Sequence, residues 1–139
     1  MPTLRNPHPG ACHCGAVRFE VSLTDGLNTA RRCNCSLCRM RGGVAASAPL
    51  DGFHLLAGAD HLRLYQFNTK VAEHWFCGTC GIYTHHRRRS NPEELGINIA
   101  CLEGVSPFDL AEVEVVDGVH HPSDGGGGLL GVLRFGEVE

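Results

Sequence analysis

The sequence predicts an all-β domain of short strands joined by tight turns. Its 18 glycines and 7 prolines interrupt the chain at short intervals. No window carries a long apolar run at the 3.6-residue spacing of an amphipathic helix. Residues 16–23 alternate, with Val17, Phe19, Val21 and Leu23 on one face, the period of a half-buried strand.

Taken in order, residues 1–9 hold three prolines and read as an irregular leader. Gly10-Ala11-Cys12-His13-Cys14-Gly15 is a turn bearing two thiols, and the alternating strand follows it. Asp25-Gly26 is a turn signal, and 27–32 is expected to be the returning strand. Cys33-Asn34-Cys35-Ser36-Leu37-Cys38 is a loop with three thiols, and Gly42-Gly43 leads from it into a small-residue strand at 44–48. Pro49-Leu50-Asp51-Gly52 turns the chain into strands at 53–56 and 61–67. A strand at 71–76 runs into Cys77-Gly78-Thr79-Cys80-Gly81, a turn of the zinc-knuckle kind, and 82–86 leaves it. Arg87-Arg88-Arg89-Ser90-Asn91-Pro92 is a polar loop, and 95–101 alternates weakly as a strand. Phe108 falls in a helical turn, 112–116 is a strand and Asp117-Gly118 a turn. His120-His121-Pro122 follows, then the low-complexity Gly125–Gly128 stretch and a last strand at 130–135. With no internal repeat and no second domain visible, residues 1–139 are expected to form one domain.

Composition narrows the function. The net charge is −3 with every thiol neutral. Seven thiolates holding two divalent ions would add seven negative charges and four positive ones, giving about −6. A nucleic-acid binder usually shows a basic domain. No apolar run approaches the roughly 18 residues of a membrane span. The beginning, Met1-Pro2-Thr3-Leu4-Arg5-Asn6-Pro7, lacks the apolar stretch of a signal peptide, which favours a cytoplasmic location. In a reducing compartment eight cysteines read as metal ligands or reactive thiols before disulfides.

Seven of those cysteines fall into three clusters: Cys12/Cys14, Cys33/Cys35/Cys38 and Cys77/Cys80. The simplest partition joins the two pairs into a four-thiolate structural zinc site, although a C-x-C half is tighter than a usual knuckle. Cys33, Cys35 and Cys38 then stand as three ligands on a metal that prefers four, leaving one position open, as in a working zinc site. Three alternatives remain at this level. The pairs could be unrelated thiols, the triplet could be a closed site completed by a histidine or Cys101, and Cys77/Cys80 could be a redox dithiol. No thioredoxin-like βαβ pattern surrounds that last pair. Cys101, alone in an apolar strand, reads as a small core residue.

Among nine histidines, His74 is a candidate to line the metal region, against the plainer reading of a strand histidine satisfied by hydrogen bonds. His13 is expected to point away from its flanking thiols. In the doublets His85/His86 and His120/His121, one member of each would face outward if they lie on strands. Arg87-Arg88-Arg89 could meet carboxylates of an acidic co-substrate, though such a run is commonly a solvated loop. No side chain stands out as a general acid or base.

The series Cys12-His13-Cys14-Gly15-Ala16-Val17, Cys33-Asn34-Cys35-Ser36-Leu37-Cys38-Arg39 and Phe76-Cys77-Gly78-Thr79-Cys80-Gly81-Ile82 resembles the glutathione-dependent formaldehyde-activating enzyme family, which is grouped with centromere protein V. The ending Asp117-Gly118-Val119-His120-His121-Pro122 fits as well, so the resemblance covers about residues 8–122. It implies a β-tent of short antiparallel sheets with two zinc ions. Cys12, Cys14, Cys77 and Cys80 would hold the structural ion, and Cys33, Cys35 and Cys38 the catalytic one. The implied activity joins glutathione and formaldehyde into S-(hydroxymethyl)glutathione, a carbon–sulfur lyase reaction run in reverse, with a small thiol and an aldehyde as substrates. The reading from a different class is a non-catalytic, zinc-stabilised protein-binding module.

Overall fold

A computed structural model describes residues 3–89, 91–120 and 127–138. It contains eleven strands and one short helix among the described residues. The strands are β1 (His8–Ala11), β2 (Arg18–Val21), β3 (Arg31–Cys33), β4 (Ala45–Pro49), β5 (Phe53–Ala57) and β6 (Leu62–Tyr65), then β7 (Glu73–Cys77), β8 (Tyr83–Arg87), β9 (Glu94–Asn98), β10 (Glu112–Val116) and β11 (Leu129–Arg134); the helix, α1, is Ser36–Arg41. The fold is therefore all-β, as expected.

The strands form two sheets. A three-stranded antiparallel sheet has the order β1-β2-β5, and an eight-stranded sheet the order β11-β10-β3-β4-β9-β8-β7-β6. Every pairing in the larger sheet is antiparallel except β3 with β10, which is parallel and sets Arg31 opposite Glu114 and Cys33 opposite Val116. The core lies between the sheets. Phe19 and Val21 of β2 bury against Ala46 and Ala48 of β4 and Leu95 and Ile97 of β9. Gly10 of β1 leaves the room that the Phe19 ring fills, and Phe53 lies tilted against Phe19 at 5.0 Å between ring centroids. A satellite cluster of Cys12, Val17 and Cys77, flanked by Leu62 and Ile82, joins the small sheet to β6–β8.

Four local expectations are corrected. Residues 27–32 do not return beside β2. Turns bonded within 25–30 carry the chain across to the other sheet, where 31–33 pairs with β4 and β10. The leader contains β1, paired with β2 through His8↔Val21 and Ala11↔Arg18. Pro9 is accommodated because β1 is an edge strand, where a missing N–H costs no ladder bond. The three-thiol loop is partly helical: Cys35 caps α1 by accepting from the Cys38 N–H at 3.3 Å. Gly42, at φ 72°, closes the helix through its N–H to the Cys38 carbonyl. The strand at 95–101 ends at Asn98, whose side chain accepts from the Ala100 N–H and starts a 3-10 turn at Ile99–Cys101. The helical turn at Phe108 is present as Pro107–Asp109. Of the predicted features, Met1 and Pro2 of the leader, Ser90, His121, Pro122 and residues 123–126 lie outside the described residues. No helix is long and apolar enough to cross a membrane among the described residues.

Candidate metal centre and its cavity

Two groups of cysteine sulfurs converge, and they are the groups the spacing suggested. The sulfurs of Cys12, Cys14, Cys77 and Cys80 lie within 4.8 Å of one another, and so, separately, do those of Cys33, Cys35 and Cys38. All eight cysteines are free thiols. Cys101 joins neither group. It is buried in the main core, and its thiol donates to the Tyr83 carbonyl at 3.5 Å.

The four-sulfur group is assembled from both sheets. Cys12 and Cys14 come from the turn between β1 and β2, Cys77 from the end of β7 and Cys80 from the turn into β8. Gly15 and Gly81, both at φ 80°, follow the two pairs and let each turn close in a conformation that a side chain disfavours. Cys12 and Cys14 sulfurs are 3.6 Å apart, and Cys14 and Cys77 sulfurs 3.8 Å. A tetrahedral ion with metal–sulfur bonds of about 2.3 Å requires sulfur separations of about 3.8 Å. Backbone N–H groups point at the sulfurs, Val17 to Cys12 at 3.3 Å and Thr79 to Cys77 at 3.4 Å. N–H bonds from Cys80 and Thr79 hold the Cys77 thiol below its ordinary range. The group therefore fits a thiolate-bound zinc. His13 is exposed and outside it, as expected.

The three-sulfur group comes from the end of β3 and the first turn of α1. Each sulfur accepts one N–H: Cys33 from Cys35 at 3.4 Å, Cys35 from Cys38 at 3.3 Å, and Cys38 from the Arg41 guanidinium at 3.5 Å. Without a cation, three crowded thiols ionise unequally. Bonds from Cys33 and Cys38 drive Cys35 down to about 2, while sharing those protons pushes Cys33 and Cys38 up. A soft divalent ion at their centre would let all three ionise together.

The group is roofed on one side by the loop after β10. The Asn34 side-chain oxygen accepts from the Gly118 N–H at 2.7 Å and from the Val119 N–H at 3.3 Å. Asp117 accepts from the His120 N–H and from its ring at 3.0 Å, which holds its carboxyl below the usual range. Gly118 presses on the group so closely that an added Cβ would collide with the Cys33 sulfur. Gly118→Ala is therefore expected to lower metal affinity at this group about 10- to 100-fold, as loss of an outer support does. The four-sulfur group, which shares no ligand with this one, should keep its metal. Metal analysis against a chelator series checks this, and equal loss from both groups would contradict it.

On its other side the three-sulfur group opens into a cavity of about 770 Å³. The four-sulfur group lines neither this cavity nor the neighbouring one of about 560 Å³. Cationic and aromatic side chains from strands far apart in sequence converge on the larger cavity. Arg31 and Arg88 both bond the Ser47 hydroxyl, at 3.1 and 2.9 Å, and Arg88 pairs with Glu94. Arg88, in the run that could have been a solvated loop, is thus largely buried and faces the site. Arg41 lies 3.6 Å over the Tyr83 ring and bonds His74 Nδ1 at 3.1 Å. The Tyr83 hydroxyl bonds His86 Nδ1 at 2.5 Å. Phe67, His74 and His86 continue as a stack with centroids 5.8 and 5.5 Å apart. Burial, helped by the Arg41 charge, lowers His74 to about 4 and holds His86 well below its ordinary range, and burial raises the Tyr83 phenol. At neutral pH the wall is therefore two neutral imidazoles and a protonated phenol beneath fixed guanidinium charge. His74 lines the cavity and is at the same time a strand histidine satisfied by its bond to Arg41, so the structure fits both readings of it.

Arg31, Arg41, Tyr83 and His86 were not singled out from the sequence. The His85/His86 doublet also departs from expectation, because β8 is covered on both faces. His86 faces the cavity, and His85 is buried against Phe53 at 4.3 Å and Trp75 at 6.2 Å.

This is an all-β chain with two cysteine clusters that could each bind a metal ion, four thiols in one and three beneath a cationic cavity in the other. More specifically, the chain belongs to the glutathione-dependent formaldehyde-activating enzyme family, whose profile matches residues 7–114. A Halomonas elongata protein, provisionally named a glutathione-dependent formaldehyde-activating enzyme, is 39% identical over 79 residues, 51% of this chain and 50% of that protein. An Emericella nidulans protein with the same provisional name is 26% identical over 80 residues, 55% of this chain and 40% of that protein. The chain thus spans about half the length of these curated relatives, or less. A crystal structure of a Rhodobacter sphaeroides protein is similar with a TM-score of 0.76 at 61% identity, over 77% of this chain and 98% of that one.

Proposed function

We propose that this chain is a zinc-dependent carbon–sulfur lyase-type enzyme that joins a small thiol to an aldehyde, with glutathione and formaldehyde as the pair its family suggests. The observation that carries the reading is the difference between the two sulfur groups: three sulfurs face a large cationic cavity, and four are closed on one another. Cys12, Cys14, Cys77 and Cys80 would hold a structural zinc; Cys33, Cys35 and Cys38 would hold the second ion. Zinc bound there would keep a substrate thiol ionised near neutral pH. We read residues 1–139 as one domain working in a reducing, cytoplasmic setting, where free thiols persist.

The protein's own groups would do the rest. Arg31 and Arg88 share the single Glu94 carboxylate, so the cavity floor keeps a surplus positive charge that suits a thiol carrying carboxylates. The thiolate sulfur adds to the aldehyde carbon, the carbonyl electron pair moves to oxygen, and that oxygen takes a proton. The proton that the thiol gives up on ionising is the one this oxygen regains, with the Tyr83 hydroxyl, bonded to His86 Nδ1, as the cavity group that would relay it and recover it. Thiol and aldehyde become a single hydroxyalkyl thioether, with no oxidant or reductant needed.

The test is spectroscopic. Cobalt replaces zinc at both groups, and glutathione is titrated in. Thiolate charge-transfer absorption is expected to change for the three-cysteine group alone, because four thiolates leave no vacancy in the other. A fully loaded protein that responds to none of several thiols would contradict the open-site reading and favour a zinc-stabilised binding module.

A further inference from the structure

We infer that Arg41 is the charge-balancing residue that makes the three-cysteine group select an anionic fourth ligand over a neutral one. This rests on the open-site reading above and concerns what that opening prefers. Three thiolates around a divalent ion leave a net charge of −1, so a further thiolate must join a centre that already repels it. Arg41 is the cation set against that repulsion.

The geometry singles it out. Cys33 and Cys35 each accept a backbone N–H, whereas the hydrogen bond to the Cys38 sulfur comes from the guanidinium of Arg41, at 3.5 Å. Arg41 sits in the last turn of α1, three residues from Cys38. Its guanidinium is held face-on over Tyr83 at 3.6 Å and tied by one nitrogen to His74 Nδ1. Tyr83 is itself buried and fixed through His86, so the charge is presented at a set position. Arg88 pairs with Glu94, and Arg31, which shares that carboxylate, bonds Thr29, Ala45 and Ser47 and no cysteine sulfur, so Arg41 is the one of the three that touches the group. Among the described residues Arg41 forms no ion pair, and its Nε is buried without a partner. Its charge therefore remains available to the sulfur group and to whatever binds beside it. In a part-buried site at about 4 Å, one full charge is worth far more than in water.

Cobalt-loaded protein is titrated with 2-mercaptoethanol, which has no carboxylate for the other arginines to bind, and separately with imidazole, which binds neutral. Arg41→Gln is expected to weaken thiol binding about tenfold or more while changing imidazole binding less than about threefold. Arg41→Lys, which keeps the charge but not the planar stack, should fall between. Arg134→Gln, an exposed arginine of β11 outside the cavity, should leave both unchanged. A structural role would weaken both ligands alike, and that outcome overturns the inference. So does an Arg41→Gln protein that binds the thiol as the parent does. Should Arg41→Gln not retain cobalt at this group, Arg41→Met takes its place. Failure of both to load would mean that the charge serves metal binding, and the inference falls. A parent protein that ignores every thiol would instead refute the open-site reading itself.

Discussion

Cys77→Ser is expected to leave the chain unfolded or insoluble, with neither metal held in stoichiometric amount. Cys77 is fully buried at the end of β7, and its sulfur meets that of Cys14, 63 residues earlier in the chain, at 3.8 Å. The group joins the turn of the small sheet to the end of the large one, and the satellite core of Cys12, Val17 and Cys77 collapses around it. Apparent binding free energies for structural zinc run to about 10–16 kcal/mol. Whole-domain stability is about 5–15 kcal/mol, so loss of even part of that term is enough to unfold the chain. Cys35→Ser should behave differently. Its group comes from one loop and one helix, and α1 buries none of its own residues. A serine at position 35 can still cap the helix by accepting from the Cys38 N–H. A folded protein with one zinc and a Tm within about 5 °C of the parent is expected. Thermal melts with metal analysis decide it: the parent should carry two zinc ions, and equal destabilisation by the two changes would refute the division of roles.

The three-sulfur group was legible in the sequence because its ligand spacing is local. C-x-C-x-x-C puts three sulfurs within one turn of chain whatever surrounds them. The alternation of Val17, Phe19 and Val21 was legible for a similar reason, since each follows from one residue's place in one strand. What pairs with what was not. Residues 31–33 find β10, more than eighty positions away, and nothing in Arg31-Arg32-Cys33 announces a parallel partner. The helix α1 escaped because six residues are too few for a helical period, and its cap is a cysteine already assigned to another task. The arginines of Arg87-Arg88-Arg89 were visible as charge, but burial decides their role. Arg88 becomes a site residue only because Glu94 and Ser47 lie on neighbouring strands. Arg41, Tyr83 and His86 converge across α1 and β8, and no spacing in sequence encodes that meeting.

Cys35→Ser should also abolish acceleration of the thiol–aldehyde reaction, returning the rate to that of a protein-free control. That control matters because thiols and aldehydes combine unaided. A free thiol with a pKa near 8.5 is only about 3% ionised at pH 7, so holding it as thiolate offers roughly a 30-fold gain in reactive form. Its lowered basicity takes back part of this, since nucleophilicity falls with pKa. On the proposed reading the remainder would come from orientation, with the carboxylate-bearing end of the thiol on Arg31 and Arg88 and the carbonyl oxygen near Tyr83, all of which line the cavity. A parent rate well above the control, lost in Cys35→Ser and retained in the exposed-surface variant Arg134→Gln, is the expected pattern. Loss in Cys35→Ser is interpretable because that protein should remain folded with its four-cysteine group loaded, as its melt will report. Suppose instead that the parent binds thiols at the three-cysteine group yet accelerates adduct formation with none of several aldehydes. Then the cavity recognises a thiol without turning it over, and the carbon–sulfur bond-forming role must be given up while the two-metal architecture stands.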